Sequence, residues 1–223
     1  MVIDPPMGLW PSWSELVADY RTKPGEQRRL TLADHVSVEL NTRTSIALRA
    51  NGGSGSDIEL ITGEAVISTT AKMAGLVTVM AGNGRIVAAA ARFNVRYYDL
   101  SVCVTCLEGE VRVERLATVL PLSAAQQVVY SDRGIGSASA IDLAAVTAWQ
   151  QGLVIFRSTP ITDVIAEVNR YRPGRVILTN AALGRRQLNA RFRIEDIDQV
   201  VGQIEQVFGA RATTLPGGIV LLG

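Results

Sequence analysis

Cys103 and Cys106 are the only two cysteines and stand in a C-x-x-C spacing. That spacing is redox-active where it opens a helix, because the helix N-terminus favours the thiolate. Here Val102, Val104 and Leu107 surround it with a strand pattern. Residues three apart on a strand point to opposite faces and lie about 10 Å apart, beyond the roughly 7 Å limit of a disulfide. The reading is two independent small strand residues. His35 is the only histidine, and its place beside Asp34 ahead of a strand marks a turn. One histidine and two cysteines are too few for a zinc site of the usual composition. Gly52-Gly53-Ser54-Gly55-Ser56 falls short of a nucleophile elbow, because serine holds its last position. Gly82-Asn83-Gly84-Arg85 lacks the third glycine of a dinucleotide loop. Both read as hairpin turns, as does Glu108-Gly109. The acidic pair Glu108 and Glu110 shows no pattern that sets two carboxyls apart. No catalytic residue, metal or cofactor is expected.

One charged feature remains. Between Asn169 and Arg193 stand Arg170, Arg172, Arg175, Arg185, Arg186, Arg191 and Arg193, with no Asp or Glu among them. Such a run is either a solvated face or a docking face for an acidic partner. A net charge of +1 and the lack of interleaved aromatic residues argue against nucleic acid.

Two kinds of element must position these residues. From about 27 to 130 the chain reads as short strands with a period of two, such as Ser37–Asn41, Ile58–Ile61, Val77–Val79, Phe93–Tyr97, Ser101–Thr105 and Glu110–Glu114. Glycine-bearing turns separate them, which suits a β-sandwich or a solenoid-like fold. Residues 131–140, rich in Gly, Ser and Ala, read as a connector. Ile141–Gln151 reads as a short helix ended by Gly152. From 152 the pattern becomes β-α-β-β-α-β-β, a small α+β domain. Ser158-Thr159-Pro160 is expected to cap its first helix with a hydroxyl and proline, and Ile161, Val164, Ile165 and Val168 form the buried stripe. Leu188, Ala190, Phe192 and Ile194 alternate with Asn189, Arg191 and Arg193, so Arg191 and Arg193 share a wet face. Glu195 and Asp196 are expected to open the second helix. Its stripe is Ile197, Val200, Val201, Ile204, Val207 and Phe208, and Gly209 ends it.

The chain has 223 residues, 48% hydrophobic and 19% charged, an ordinary globular composition. The longest apolar run is Ile86–Ala91, too short to span a bilayer. The first ten residues carry Asp4, Pro5 and Pro6 and no basic stretch, unlike a signal peptide.

Several motifs together resemble the FecR family of transmembrane anti-sigma regulators. Gly25–Asp34 followed by Val36–Ser45 looks like the opening of that family's periplasmic domain. Glu59-Leu60-Ile61-Thr62-Gly63-Glu64-Ala65 resembles its L-x-x-G-E-A element, and Val104–Val113 its later strand pair. Trp149, Gly152, Phe156 and Pro160, with Val164 through Asn169-Arg170-Tyr171, resemble its W-x-x-G-x-x-x-F … N-R-Y signature. The last α+β stretch looks like the short secretin/TonB N-terminal module. Asp34-His35-Val36 departs from the family's D-G-S, and Ala90-Ala91-Arg92-Phe93 from its G-T-x-F.

The resemblance implies a juxtamembrane lead-in over 1–26, an all-β FecR-type domain over 27–130, a connector over 131–151 and the α+β module over 152–223. It implies a periplasmic region of a single-pass inner-membrane protein, with the anchor and a sigma-factor-binding cytoplasmic segment upstream of Met1. The implied partner is the periplasmic signalling domain of a TonB-dependent outer-membrane transporter. The relay reaches an extracytoplasmic-function sigma factor through the absent cytoplasmic segment. Arg170, Arg172, Arg185, Arg186, Arg191 and Arg193 are the candidate contacts. Trp149, Gly152, Phe156, Asn169 and Tyr171 are the structural signature. The competing expectation is a periplasmic module that binds a glycan or another small ligand through the β half. An aromatic content of 5% counts against it, because sugar sites use exposed aromatic platforms.

Overall fold

The structure is a computed structural model that describes residues 18–33, 35–49, 57–70 and 75–223. Residues 1–17 of the lead-in expected over 1–26, the Gly52–Ser56 turn and Asp34 lie outside the described residues. The chain forms two units. The first holds residues 18–23 and 27–142, the second residues 24–26 and 143–223.

The first unit is all strand. Its strands are β1 (Tyr20–Arg21), β2 (Arg28–Ala33), β3 (Val36–Leu40), β4 (Ser45–Arg49), β5 (Asp57–Thr69), β6 (Val77–Ala81) and β7 (Gly84–Ala88). They continue with β8 (Ala91–Tyr98), β9 (Ser101–Arg115), β10 (Thr118–Ser123), β11 (Gln126–Ser131), β12 (Gly134–Ile135) and β13 (Ser139–Ala140). Two long strands organise the rest. The first half of β5 pairs with β4 and, in parallel, with β6, while its second half pairs with β3 and β8. The first half of β9 pairs with β8 and β11, and its second half with β7 and β10. Side chains from both sets of pairings, among them Ile58, Val79, Ile86 and Val113 with Val38, Ile67, Phe93 and Val104, share one core.

The bend in each long strand is written in its residues. In β5 the core-facing positions are Ile58 and Leu60, then Ala65 and Ile67. The parity switches from even to odd across Gly63, so a period of two continues on the other side of a kink. In β9 the core-facing positions Val102, Val104 and Cys106 give way to Val111 and Val113 across Gly109. Gly63 has φ +102 and Gly109 φ +79. A Cβ at Gly63 would lie 2.4 Å from Thr44 Cα, and one at Gly109 would lie 2.5 Å from the Ala90 carbonyl oxygen. Only glycine fits both the backbone angle and the space. Glu108-Gly109 is therefore not a hairpin turn but the bend inside one continuous strand. The Gly82-Asn83 turn does join β6 to β7. Within the stretch expected as a connector, β12 and β13 pair with β11.

The second unit contains α1 (Leu143–Thr147), a 3-10 turn (Ala148–Gln151), β14 (Leu153–Pro160), α2 (Ile161–Tyr171), β15 (Arg175–Leu178) and α3 (Ala181–Gly184). It continues with β16 (Gln187–Arg193), a 3-10 turn (Ile194–Asp196), α4 (Gln199–Phe208), β17 (Ala212–Leu215) and β18 (Ile219–Leu222). β14 pairs antiparallel with β16. β18 lies between β15, its parallel neighbour, and β17, its antiparallel one. α2 and α4 bury Val164, Ile165, Val168, Val200 and Ile204 against Val154, Phe156, Val176 and Leu222. Phe156 and Phe192 meet edge to face with centroids 6.2 Å apart.

Four local expectations are corrected. The strand β14 runs through Ser158 and Thr159 to Pro160, so no hydroxyl caps α2. The Thr159 hydroxyl instead accepts the Arg157 N–H at 3.1 Å, across a bulge between Phe156 and Thr159. Glu195 and Asp196 sit in a separate 3-10 turn, and α4 begins at Gln199 with no acidic residue in its first turn. Val207, placed in the apolar stripe, is 57% exposed. The turn α3 is an element that the β-α-β-β-α-β-β order omits.

Candidate partner-binding surface

The arginine run divides into three groups with different surroundings. Arg170 and Arg172 are buried, at 7% and 9% exposure. The Arg170 guanidinium donates to Glu167 Oε1 at 2.6 Å, one helical turn back, and lies 5.5 Å from the Tyr171 ring centroid. Arg172 Nε is 2.9 Å from Asp198 Oδ1. Both guanidinium groups therefore lie against carboxylates of their own chain, Glu167 largely buried and Asp198 largely exposed. Helical spacing carried a signal for this, since Glu167 stands three residues before Arg170. Replacing Arg170 with alanine strands a largely buried carboxylate and should lower stability by about 3 kcal/mol in urea titrations. Arg185→Ala and Arg191→Ala should stay within about 0.5 kcal/mol of wild type.

Arg185 and Arg186 form the second group, and both are exposed. They follow α3, which Asn180 caps by accepting the N–H groups of Ala182 at 2.9 Å and Leu183 at 3.2 Å. The Arg186 guanidinium stacks 5.0 Å from the Phe208 ring centroid. It lines an open groove of about 250 Å³ together with Asn180, Phe208, Gly209, Ala210 and Gly223.

Arg191 and Arg193 form the third group, on the outward face of β16, opposite Ile155 and Leu153 of β14. This is the alternation expected from the sequence, with Leu188 and Phe192 turned inward. Arg193 Nε contacts Glu195 Oε1 at 2.6 Å, both residues largely exposed, so the pair contributes little to stability. No ion pair among the described residues involves Arg185 or Arg191. Arg191 stands five positions beyond Arg186, the residue just before β16, about 16 Å at strand rise. The exposed arginines therefore make two patches, not one.

The signature residues all belong to the second unit. Trp149, Phe156 and Tyr171 are buried. Gly152 closes the 3-10 turn with φ 71, and its carbonyl accepts the Ile194 N–H at 2.8 Å. Asn169 has the most specific role. Its Nδ2 donates to the Val176 carbonyl at 2.9 Å, and its Oδ1 accepts the Val176 N–H at 2.7 Å. The side-chain amide thus acts as a one-residue strand along the free side of β15.

Residue-level reading missed a buried polar cluster in the first unit. Glu64, beside the Gly63 bend, accepts from Asn41 Nδ2 at 2.9 Å and from Asn94 Nδ2 at 3.1 Å. The Thr44 hydroxyl bonds both the N–H and the carbonyl of Glu64, each at 3.0 Å. The carboxylate on β5 thus links Asn41, just past the end of β3, to Asn94 on β8. No group of three or more His, Cys, Asp or Glu among the described residues could hold a metal ion. The cysteines are free, with Cys106 in the core and Cys103 on the other side of β9. Burial pushes Cys103 up to about 11, against the opposing pull of Arg96, and it also raises Cys106. Neither is a nucleophile poised at neutral pH.

Residues 18–112 match a protein family described as FecR protein. Comparison with curated proteins gave no significant match. Among solved structures, the chain is similar to a protein of Parabacteroides distasonis ATCC 8503, provisionally assigned as an anti-sigma factor. Its crystal structure at 1.65 Å superposes with a TM-score of 0.79 and 22% identity, covering 92% of this chain and 97% of the other. A second crystal structure, at 2.50 Å and with the same description, gives a TM-score of 0.77 and 22% identity over 91% and 96%. At that identity the likeness is one of fold, and it extends through both units.

Proposed function

Residues 18–112 belong to the FecR family, and from that premise we propose that the chain is the periplasmic sensory part of a transmembrane sigma-factor regulator. It relays a signal from a TonB-dependent outer-membrane transporter to a cytoplasmic extracytoplasmic-function sigma factor. The observation that carries this reading is the FecR match over most of the β unit. The fold shared with a provisionally assigned anti-sigma factor along nine-tenths of the chain adds support.

Such a relay needs a stiff element and a contact surface, not a reactive group. The β unit suits the stiff part: two long strands, each bent at a glycine, are shared between two sets of pairings around one core. The α+β unit supplies exposed arginines, among them Arg185, Arg186 and Arg191. No helix among the described residues is long and apolar enough to cross a membrane. The proposal assigns the anchor and the sigma-binding segment to sequence upstream of Met1.

The test is binding. The purified chain is titrated against the periplasmic signalling domains of the TonB-dependent transporters of its own genome. One domain should bind. Reversing the charge at Arg185, Arg186 and Arg191 together should weaken it about tenfold, with a flatter salt dependence. Unchanged affinity in a variant with wild-type circular dichroism would remove these arginines from the contact.

A further inference from the structure

The three-stranded sheet of the second unit has two unlike faces. Val176, Leu178, Ala212, Val220 and Leu222 face the helices and join the core. The alternate residues face away. In register they are Arg175, Ile219 and Leu215 in one row, then Ile177, Leu221 and Thr213 in the next. Arg211 extends the second side, next to β17. Ile177 and Leu215 are 39% and 38% exposed, and Ile219 and Leu221 are half-buried. The outward face is thus an apolar strip with an exposed arginine at each end and no acidic residue.

The edges of the sheet differ too. Asn169 occupies the free side of β15 at Val176. Just before β17, Arg211 exchanges both main-chain hydrogen bonds with Gly223, the residue after β18. By antiparallel alternation, Thr213 and Leu215 also bond to β18, while Ala212 and Thr214 turn their main-chain groups outward. Glu205 takes the Ala212 N–H at 2.7 Å. Thr214 is exposed, and its main-chain groups face solvent.

We propose that this outward face, with the adjoining β17 edge, is the docking surface for an apolar segment flanked by carboxylates on the partner's signalling domain. The proposal rests on the relay reading above and adds residues to it that lie on a different sheet from Arg191 and Arg193. Charge complementarity selects the occupant. Arg175 and Arg211 flank the strip, and a partner with acidic residues at matching positions neutralises both. A second copy of this chain fits poorly, because two such faces bring four arginines together with no carboxylate. Three strands of four residues cover only about 10 Å by 13 Å. That is the apolar centre of an interface, not a complete one.

The experiment uses the full 223-residue chain and the same panel of purified signalling domains, read by calorimetry. Two variants probe the face: Arg175→Glu with Arg211→Glu, and Thr213→Trp, which adds bulk at an exposed strand position. Both should keep the wild-type thermal midpoint and weaken binding about tenfold or more. If no domain binds the wild-type chain, the relay reading fails. If one binds and both variants stay within about twofold of wild type, the face proposal alone fails. Sedimentation that shows a wild-type dimer abolished by Thr213→Trp assigns the face to self-association and overturns the acidic partner.

Discussion

Gly63→Ala is expected to cost the β unit about 4 kcal/mol, a large part of the stability of an ordinary domain. Two effects add. At φ +102 an L-residue is strained whatever its surroundings, at a cost of roughly 1–3 kcal/mol. The new Cβ also falls 2.4 Å from Thr44 Cα, a main-chain atom that cannot rotate away. Relief requires moving Thr44, whose hydroxyl holds the Glu64 backbone at 3.0 Å. The damage then spreads to the Asn41–Glu64–Asn94 cluster, where buried polar groups lose their partners. Gly152→Ala is the control. It also sits at positive φ, but a Cβ there meets nothing within 4 Å. Its cost should be the backbone term alone, about 1 kcal/mol. Urea titration of both variants separates the two contributions, and equal losses would contradict the packing argument.

Asn169→Leu is expected to cost the α+β unit about 3 kcal/mol, from two buried backbone groups left unpaired at Val176. The register explains why nothing else can replace the amide. Val220 turns its main-chain groups towards β15, because it is a non-hydrogen-bonded partner of Thr214 on β17. Val176, opposite Val220, must then turn its own groups the other way, to Asn169. Asn169→Asp gives a sharper version. The carboxylate keeps the bond from the Val176 N–H but sets a negative charge against the Val176 carbonyl. Protonation restores a donor, so the deficit of this variant relative to wild type should shrink as pH falls from 7 towards 4. A deficit independent of pH would contradict the geometry.

The two units were legible in different degrees. Local pattern located the strands and both helical stripes of the α+β unit, because burial there follows simple periods of two and 3.6. The bends at Gly63 and Gly109 were visible only as parity switches, from Ile58 and Leu60 to Ala65 and Ile67, and from Cys106 to Val111. A glycine between charged residues resembles a turn, so Glu108-Gly109 reads as one until the fifteen-residue strand through it is seen. Pairings such as the parallel β5–β6 contact depend on distant segments and leave no local trace. The arginines show the same limit. Charge counting groups Arg170 with Arg191, whereas one is buried on Glu167 and the other stands free on a strand face. Asn169 matters through Val176, which lies beyond a turn, so its role cannot be read from its neighbours.

The central claim is that this polypeptide transmits a contact between proteins. Its most direct test is transcription from the dependent sigma-factor promoter in the native host, measured with and without the transporter's ligand. The full gene should respond. A version truncated after Gln151, which lacks β14 through β18, should express a folded β unit yet leave the promoter insensitive to the ligand. A ligand response that survives the truncation at wild-type amplitude would contradict the account.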